Sequence, residues 1–441
     1  MIGLGLMLAS PVMAQTFTNL HNFKAGVKTD GFEPYASLII LGNTLYGTTY
    51  LGGSNNGTVF AVKTDGTGYT NLYTFTSVGN DGRNPHGELA LSGNTLYGTT
   101  EAGGSPGAGN VFKVNTDGSG FLSLHTFTGV SGGDGGGPAG GLVISGSSLY
   151  GTTVSTVFKI NINSLVFTNL HVFAGGTNDG YQSVARLLLS GSTLYGTTSS
   201  AGASNRGTIF AIHTDGTGYT NLYNFGGTGN GPLAGLILAG NTLYGTTFGG
   251  GATGNGTVFR INTDGSAYTN LHSFSLGSPD DGSGPYGPVI LWGRSLYGTT
   301  EQGGRFSTGG TVFKVNTDGT GYTNVYSFTA PSIFSTNIDG ATPTAGLVLS
   351  DSTLYGTAEQ GGFFTGGTVF GLTLPKVTIV SSQTNVVLTW PTNALGFTLQ
   401  SAPTLLSEAA WANVSPGPVV INGQNVVTNP MSGPQSFYRL Y

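Results

Sequence analysis

Apolar and polar residues alternate along most of the chain in short runs, the period-two pattern of half-buried β-strands. The runs SLIIL around Leu38, LYGTT around Tyr46, TVFAV around Phe60 and YTNLYTF ending at Phe75 are examples. A GNT turn separates the first two, a Gly-rich loop the next two, and TDGTG the last two. Asp-Gly and Gly-Asn pairs supply the positive φ that tight hairpins need. The pattern predicts four short antiparallel strands, here called A to D.

This unit recurs. LYGT occurs seven times, with its tyrosine at Tyr46, Tyr97, Tyr150, Tyr195, Tyr244, Tyr297 and Tyr355. A (G/S)xVF or GTIF motif ends at Phe60, Phe112, Phe158, Phe210, Phe259, Phe313 and Phe370. The aromatic D-strand motif ends at Phe23, Phe75, Phe127, Phe173, Phe225, Phe274 and Phe328. Four antiparallel strands repeated every ~50 residues describe a β-propeller blade. The chain opens with a lone D strand, Phe17 to Phe23, and the seventh unit has A, B and C but no D strand after Leu372. The expected fold is therefore all-β: a seven-bladed β-propeller over residues 15–374, closed by the N-terminal strand. The glycine of LYGT has no Cβ, so a neighbouring sheet or ring can approach closely.

The consensus xLxxxGNTLYG, then GTVFxV and an aromatic D strand, resembles quinoprotein-type propeller repeats. More specifically, LYGTTxxGG…GTVFxVxTDGTGYTxLYxF resembles the GloVer tandem-repeat family of secreted bacterial proteins, over residues 17–374. The resemblance implies a propeller and an exported protein, often with a C-terminal surface or sorting module; it supplies no biochemical activity. After Leu374 the glycine-rich repeats give way to VTIVSSQTNVVLTWP, GFTLQSA, WANVS and QSFYRLY. Five or six short strands there predict a small fibronectin-III-like β-sandwich, residues 375–441. Ile2 to Val12 is apolar, and Val12-Met13-Ala14 resembles a cleavage site, so residues 1–14 are expected to be a signal-peptide-like leader.

Composition narrows the functions. Glycine accounts for 78 of 441 residues and charged residues for only 7%. Fourteen basic and 19 acidic residues give a net charge of −5 with no basic cluster, which argues against nucleic acid. With no cysteine, disulfides, thiolate metal sites and cysteine nucleophiles are excluded. No later segment has the ~18 uninterrupted apolar residues of a membrane helix.

Loop lengths select a face. From the C-strand Phe to the aromatic opening strand D there are 9 residues in every internal case, whereas the B-to-C stretch runs from 8 to 16 and the D-to-B stretch from 19 to 27. The B–C and D–A loops leave the same end of a blade, and variable loops on a rigid scaffold carry sites. The position after LYGTT or LYGTA is Glu101, Glu301 and Glu359 in units two, six and seven, and Tyr50 in the first. Arg305, Phe306, Phe363 and Phe364 stand in the long loops of units six and seven. These eight are the candidate ligand-binding residues; solvated rim charges beside locally packed aromatics are the alternative. The DGxxP aspartates (Asp30, Asp81, Asp134, Asp281 and Asp339), with Asp179 and Asn230 in degenerate copies, read as turn caps rather than as Ca²⁺ ligands. His21, His125, His171 and His272 share a D-strand position with Tyr73, Tyr223 and Tyr326, so they read as flat rings in a packing slot.

No P-loop, GxSxG or HExxH motif occurs. The sequence assigns no catalytic residue, no cofactor and no metal ligand. The leading expectation is a secreted, non-catalytic binding scaffold for a glycan or protein at the B–C/D–A face. A polysaccharide-acting hydrolase or lyase using the rim carboxylates, and a self-assembling envelope protein, remain as alternatives. Oligomeric state is not legible.

Overall fold

A computed structural model describes residues 16–27, 29–227, 229–329, 337–382, 384–392, 397–404, 411–430 and 436–440. The expected leader, residues 1–14, lies outside the described residues. The fold is all-β and built from repeated four-stranded antiparallel sheets, with one 3-10 turn among the described residues, Val130–Gly132. Packing divides the chain into two compact units. One holds Asn19–Val348 and Tyr355–Phe370; the other holds the described residues up to Thr18, Leu349–Leu354 and the chain from Gly371 onward.

The first repeat shows the local rules. Strand A is Ile39–Leu41, B is Thr44–Thr49, C is Thr58–Lys63 and D is Thr70–Thr74, hydrogen-bonded in that order. Strand A is shorter than the apolar run SLIIL. At the C–D turn, Asp65 accepts the Thr67 amide at 2.9 Å and its hydroxyl at 2.7 Å. This Asx turn recurs at Asp117, Asp215, Asp264 and Asp318, while in the third repeat Asn161 accepts the Asn163 and Ser164 amides in a turn of the same length. Strands C and D pair with a bulge between the Val and Phe of the VF motif, as at Val59/Phe60. Thr16–Lys24 lies beside Thr365–Thr373 in a sheet completed by Thr353–Ala358 and Val348–Ser350.

The LYGT glycine has a specific packing reason. Gly47 pairs across the B–C ladder with Phe60, and Gly98, Gly151, Gly196, Gly245 and Gly298 face the equivalent phenylalanines. The phenyl ring folds over its glycine, where a Cβ would stand.

Sheets are joined by three recurring contacts. Each D-strand Phe meets the C-strand Phe of the next sheet edge to face, at 5.1–5.4 Å between centroids. Phe23 makes this contact with Phe60, in a core shared with Leu38, Val62, Tyr355 and Val369. The second threonine-row contact runs from Thr99, Thr152, Thr197, Thr246 and Thr299 to a carbonyl of the following repeat, at 2.7–3.2 Å. Thr357 makes the same bond to Ala36, at 3.3 Å.

The third contact absorbs both the DGxxP aspartates and the D-strand histidines. His21, His125, His171 and His272 donate through Nε2 to Asp30, Asp134, Asp179 and Asp281 at 3.0–3.2 Å. Tyr73 and Tyr326 donate likewise to Asp81 and Asp339. The four histidines and Tyr73 each stack on an aromatic of the next repeat, as His21 does on Tyr69 at 3.6 Å. The aspartates also cap backbone amides: Asp30 accepts those of Lys24 and Gly31 at 3.1 and 2.9 Å. Packing slot and turn cap are thus one latch.

Burial works against ionisation of Asp30, but the His21 hydrogen bond and charge and the Lys24 amide together hold its pKa below the ordinary value. A depressed folded-state pKa stabilises the fold fully above the ordinary carboxylate value, and the contribution is lost as pH falls through the folded pKa. Asp30→Asn should therefore lower the unfolding free energy by about 2 kcal/mol at neutral pH. The difference from wild type should shrink at pH 3. Urea denaturation at both pH values checks this; a gap that widens in acid would refute the latch.

In the C-terminal unit, the sheets Thr378–Ser382/Asn385–Pro391/Gln424–Pro430/Val419–Ile421 and Ala412–Asn413/Leu399–Ala402/Phe437–Leu440 share a core of Leu388, Trp390, Leu399 and Val427. Arg439 lies over the Trp411 ring at 4.2 Å.

Candidate functional site

The D–A and B–C loops emerge together and pair. Gly31–Phe32 bridges Leu51–Gly52, Gly180–Tyr181 bridges Ser200–Ala201, and Gly282–Ser283 bridges Gln302–Gly303. Single bridges Arg83–Ala102, Asn230–Gly249 and Ala341–Gln360 do the same elsewhere. Pairing makes both loops part of the scaffold and fixes the side chains they carry.

In six repeats the residue that follows the turn proline lines one cavity, and in the fourth Val184 does so after Ser183. Proline fixes the turn's φ, so the next side chain is delivered in a set direction. Tyr35, His86, Tyr286 and Thr344 form one arc of a cavity of about 70 Å³, and Ala139, Val184 and Leu233 form the other. Tyr35 stacks on His86 at 5.2 Å and meets Tyr50 edge-on at 5.3 Å. Phe248 meets Tyr286 edge-on at 6.1 Å.

The glutamates surround the aromatic arc. Tyr35 donates its hydroxyl to Glu359 Oε1 at 2.8 Å. Burial and the charge of Glu101 raise the Tyr50 pKa. Burial raises the Tyr286 pKa, and the charges of Glu101, Glu301 and Glu359 raise it further. Burial also raises the Glu33 and Glu301 pKa values, with the Glu359 charge adding to both; a Gln302 hydrogen bond opposes the rise at Glu301. Burial lowers the His86 pKa against the pull of Glu101 and Glu359, so His86 is neutral at neutral pH. Among the described residues, the ion pair Arg186–Glu88 is the one that joins Arg or Lys to a carboxylate, and the glutamates of the mouth have no such partner. No group of three His, Asp or Glu among the described residues is arranged to hold a metal ion.

Arg186 and Glu88, 2.9 Å apart, line this cavity and also a larger one of about 710 Å³. The larger cavity is walled by strand A aliphatics such as Ile39, Leu188, Ile237 and Ile290. Burial pushes the Glu88 pKa up and the Arg186 charge pulls it back.

Of the eight sequence candidates, Tyr50, Glu101, Glu301 and Glu359 come together in the mouth. Arg305, Phe306, Phe363 and Phe364 lie apart from it. The Arg305 amide donates to Ser327 Oγ at 3.3 Å, and Phe306 is 47% exposed. Phe363 packs edge-on against Phe364 at 4.9 Å, and Lys24 Nζ sits 4.7 Å above the Phe364 ring. Glu33, Tyr35, His86, Tyr286 and Thr344 were missed. Their signal was available: one position after an otherwise constant turn reads Tyr, His, Ala, Val, Leu, Tyr and Thr in successive repeats.

The fold and the site define a tandem-repeat, propeller-like all-β protein whose paired loops gather acids and rings at one end. The chain belongs to the Gloeobacter/Verrucomicrobia repeat family, whose model matches residues 5–181 and 226–406. Among solved structures it is similar to the extracellular domain of B. thetaiotaomicron BT4673, described once as a one-component and once as a hybrid two-component system. Those matches have TM-scores of 0.55 and 0.53, with 9% and 10% identity over 91% of this chain. This chain spans about half, 48%, of that domain. An oligogalacturonate lyase from Vibrio parahaemolyticus aligns with a TM-score of 0.49 and 10% identity over 82% of this chain and 98% of its own. No functionally curated protein matches the chain.

Proposed function

We propose that this is a secreted, non-catalytic binding scaffold that takes a glycan or protein ligand at the mouth formed by the B–C and D–A loops. The propeller has seven blades, the last completed by the N-terminal strand, and residues 375–441 form a separate fibronectin-III-like sandwich. Strand order supports the ring, because Thr16–Lys24 lies beside Thr365–Thr373. So does the Tyr35–Glu359 bond between the first and last repeats. Among the described residues no helix is long and apolar enough to cross a membrane.

The observation that carries the binding role is the convergence of Tyr35, Tyr50, His86 and Tyr286 with Glu101, Glu301 and Glu359 at one end. Aromatic faces and carboxylates held on paired loops suit recognition without chemistry. The test is a panel of immobilised glycans and surface proteins probed with wild type, Tyr35→Ala/Tyr286→Ala and Phe306→Ala/Phe363→Ala. The first double variant should weaken binding at least tenfold and the second less than threefold. Equal losses would place the site elsewhere. A polysaccharide-acting enzyme is favoured by one feature: Glu33 and Glu301 hold their protons more tightly than ordinary carboxyls, as a general acid must. Release of reducing ends from a polysaccharide panel, abolished by Glu301→Gln, would replace the binding reading with that one.

A further inference from the structure

The larger cavity, about 710 Å³, is a chamber with an aliphatic wall and a charged end. Its size falls in the range of small-molecule sites. All of its lining residues belong to the unit Asn19–Val348. Ile39, Val143, Leu188, Ile237, Ile290 and Val348, one from each of six repeats, line it and are only half-buried. Apart from aliphatic residues, glycine and proline, the lining holds Ser37, Glu88 and Arg186. Apolar surface left facing a chamber gains from any apolar occupant that removes it from water.

The charged end is one layer of the repeat. A single position reads Ser, Glu, Gly, Arg, Gly, Pro and Gly in successive repeats, from Ser37 to Gly346, and every copy lines the small cavity. Ser37, Glu88, Arg186, Gly235 and Pro288 of this layer line the chamber too, so the layer parts the two spaces. Small neighbours make room for the two long side chains. A Cβ on Gly141 would lie 2.9 Å from Glu88 O and 3.0 Å from Glu88 Cβ, and one on Gly235 would lie 2.9 Å from Arg186 O. No strand ladder, turn cap or aspartate latch uses the Glu88–Arg186 pair. A guanidinium has more donors than one carboxylate oxygen can take. Arg186 uses Nη1 on Glu88 Oε1 at 2.9 Å, and its remaining donors have no protein partner among the described residues. Its side chain is 44% exposed against 18% for Glu88, so the polar surface offered to the cavities is chiefly donor.

We propose that the chamber binds an aliphatic carboxylic acid of medium chain length, its carboxylate on Arg186 and its chain along the strand A aliphatics. In the first repeat the lining runs from Ser37 to Ile40, a rise of about 10 Å, close to the length of an extended chain of about ten carbons. Charge-assisted bonds from a guanidinium hold a carboxylate more strongly than a neutral head. Glu88 shares the guanidinium with the ligand and competes for it. Tyr35 and Tyr286 line the small cavity but not the chamber, so this site stands apart from binding at the mouth.

Calorimetric titration of the full chain with decanoate tests it, beside 1-decanol, decylammonium and the peptide acetyl-Leu-Val-Leu with a free carboxylate. Decanoate should bind about tenfold more tightly than decanol. Arg186→Gln should weaken decanoate about tenfold and leave decanol within about twofold. Glu88→Gln should tighten decanoate about threefold, because the competing carboxylate is gone. Opposite signs from the two partners of one ion pair are not what a shared loss of stability gives, and weaker binding in both variants overturns the proposal. Ile237→Trp fills the chamber and should abolish decanoate binding with an unchanged circular dichroism spectrum; retained binding in that folded variant puts the chain elsewhere and overturns it. Equal binding of decanol, tighter binding of decylammonium or of the peptide, or no binding by any probe also overturns it. The mouth is judged separately, by the Tyr35/Tyr286 double variant.

Discussion

Gly196→Ala is expected to lower the unfolding free energy by about 3 kcal/mol or more, the upper end of the cost of overpacking a core. The new Cβ would stand 2.4 Å from Phe210 Cζ, 2.7 Å from its Cε1 and 2.8 Å from Leu187 Cδ2. None of these can yield cheaply. Phe210 is 0% exposed and Leu187 is 2% exposed, and Phe210 meets Phe173 across the sheet interface. Gly176→Ala is the control: it has open space around it and no positive φ. That change should be neutral or stabilise slightly by restricting the unfolded chain. Urea unfolding followed by circular dichroism compares the two. Similar midpoints would mean the ring does not sit over the glycine as described.

Phe23→Ala should cost about 4 kcal/mol, the usual loss for a fully buried aromatic. Phe23 is 0% exposed and packs on Phe60, in a core that also holds Tyr355 and Val369 of the last repeat. The matched substitution is Phe225→Ala, whose ring sits in the middle of the chain and meets Phe259 at 5.4 Å. If the N-terminal strand completes the last blade, the two variants lose the same stability. If that strand is dispensable, Phe23→Ala behaves as wild type and only Phe225→Ala is destabilised. The comparison separates a closed ring from an open row, because an internal interface exists in both.

Much of the fold was legible because each local choice repeats. Tyr46, Phe60 and Phe75 recur with their neighbours, so one reading of a turn or strand applies to every copy. The LYGT glycine illustrates both reach and limit. Its lack of a Cβ announced a close approach, but whether a sheet or a ring made that approach depended on the B–C register that sets Gly47 against Phe60. The histidines gave a similar partial answer. Their exchange with tyrosine marked a packing slot, yet the bond from His21 to Asp30 joins residues on either side of a loop whose path no local pattern records.

Loop length singles out one end of the repeats but says nothing of the depth of each side chain. Glu101, Glu301 and Glu359 follow a strand that fixes their direction, so position in the repeat sufficed. Arg305 and Phe363 sit further into long loops, and there the chain turns them toward strand D instead. Tyr35, His86, Tyr286 and Thr344 escaped because each looks unremarkable alone.

By itself the sequence determined the strands, the turns, the repeat and the family, since periodicity and turn chemistry are local and were stated seven times. Only the tertiary structure decided which unlike residues meet. Tyr35 and Glu359 are 324 positions apart, and their hydrogen bond exists because the first and last repeats are brought side by side. A site assembled from residues of different repeats has no local pattern.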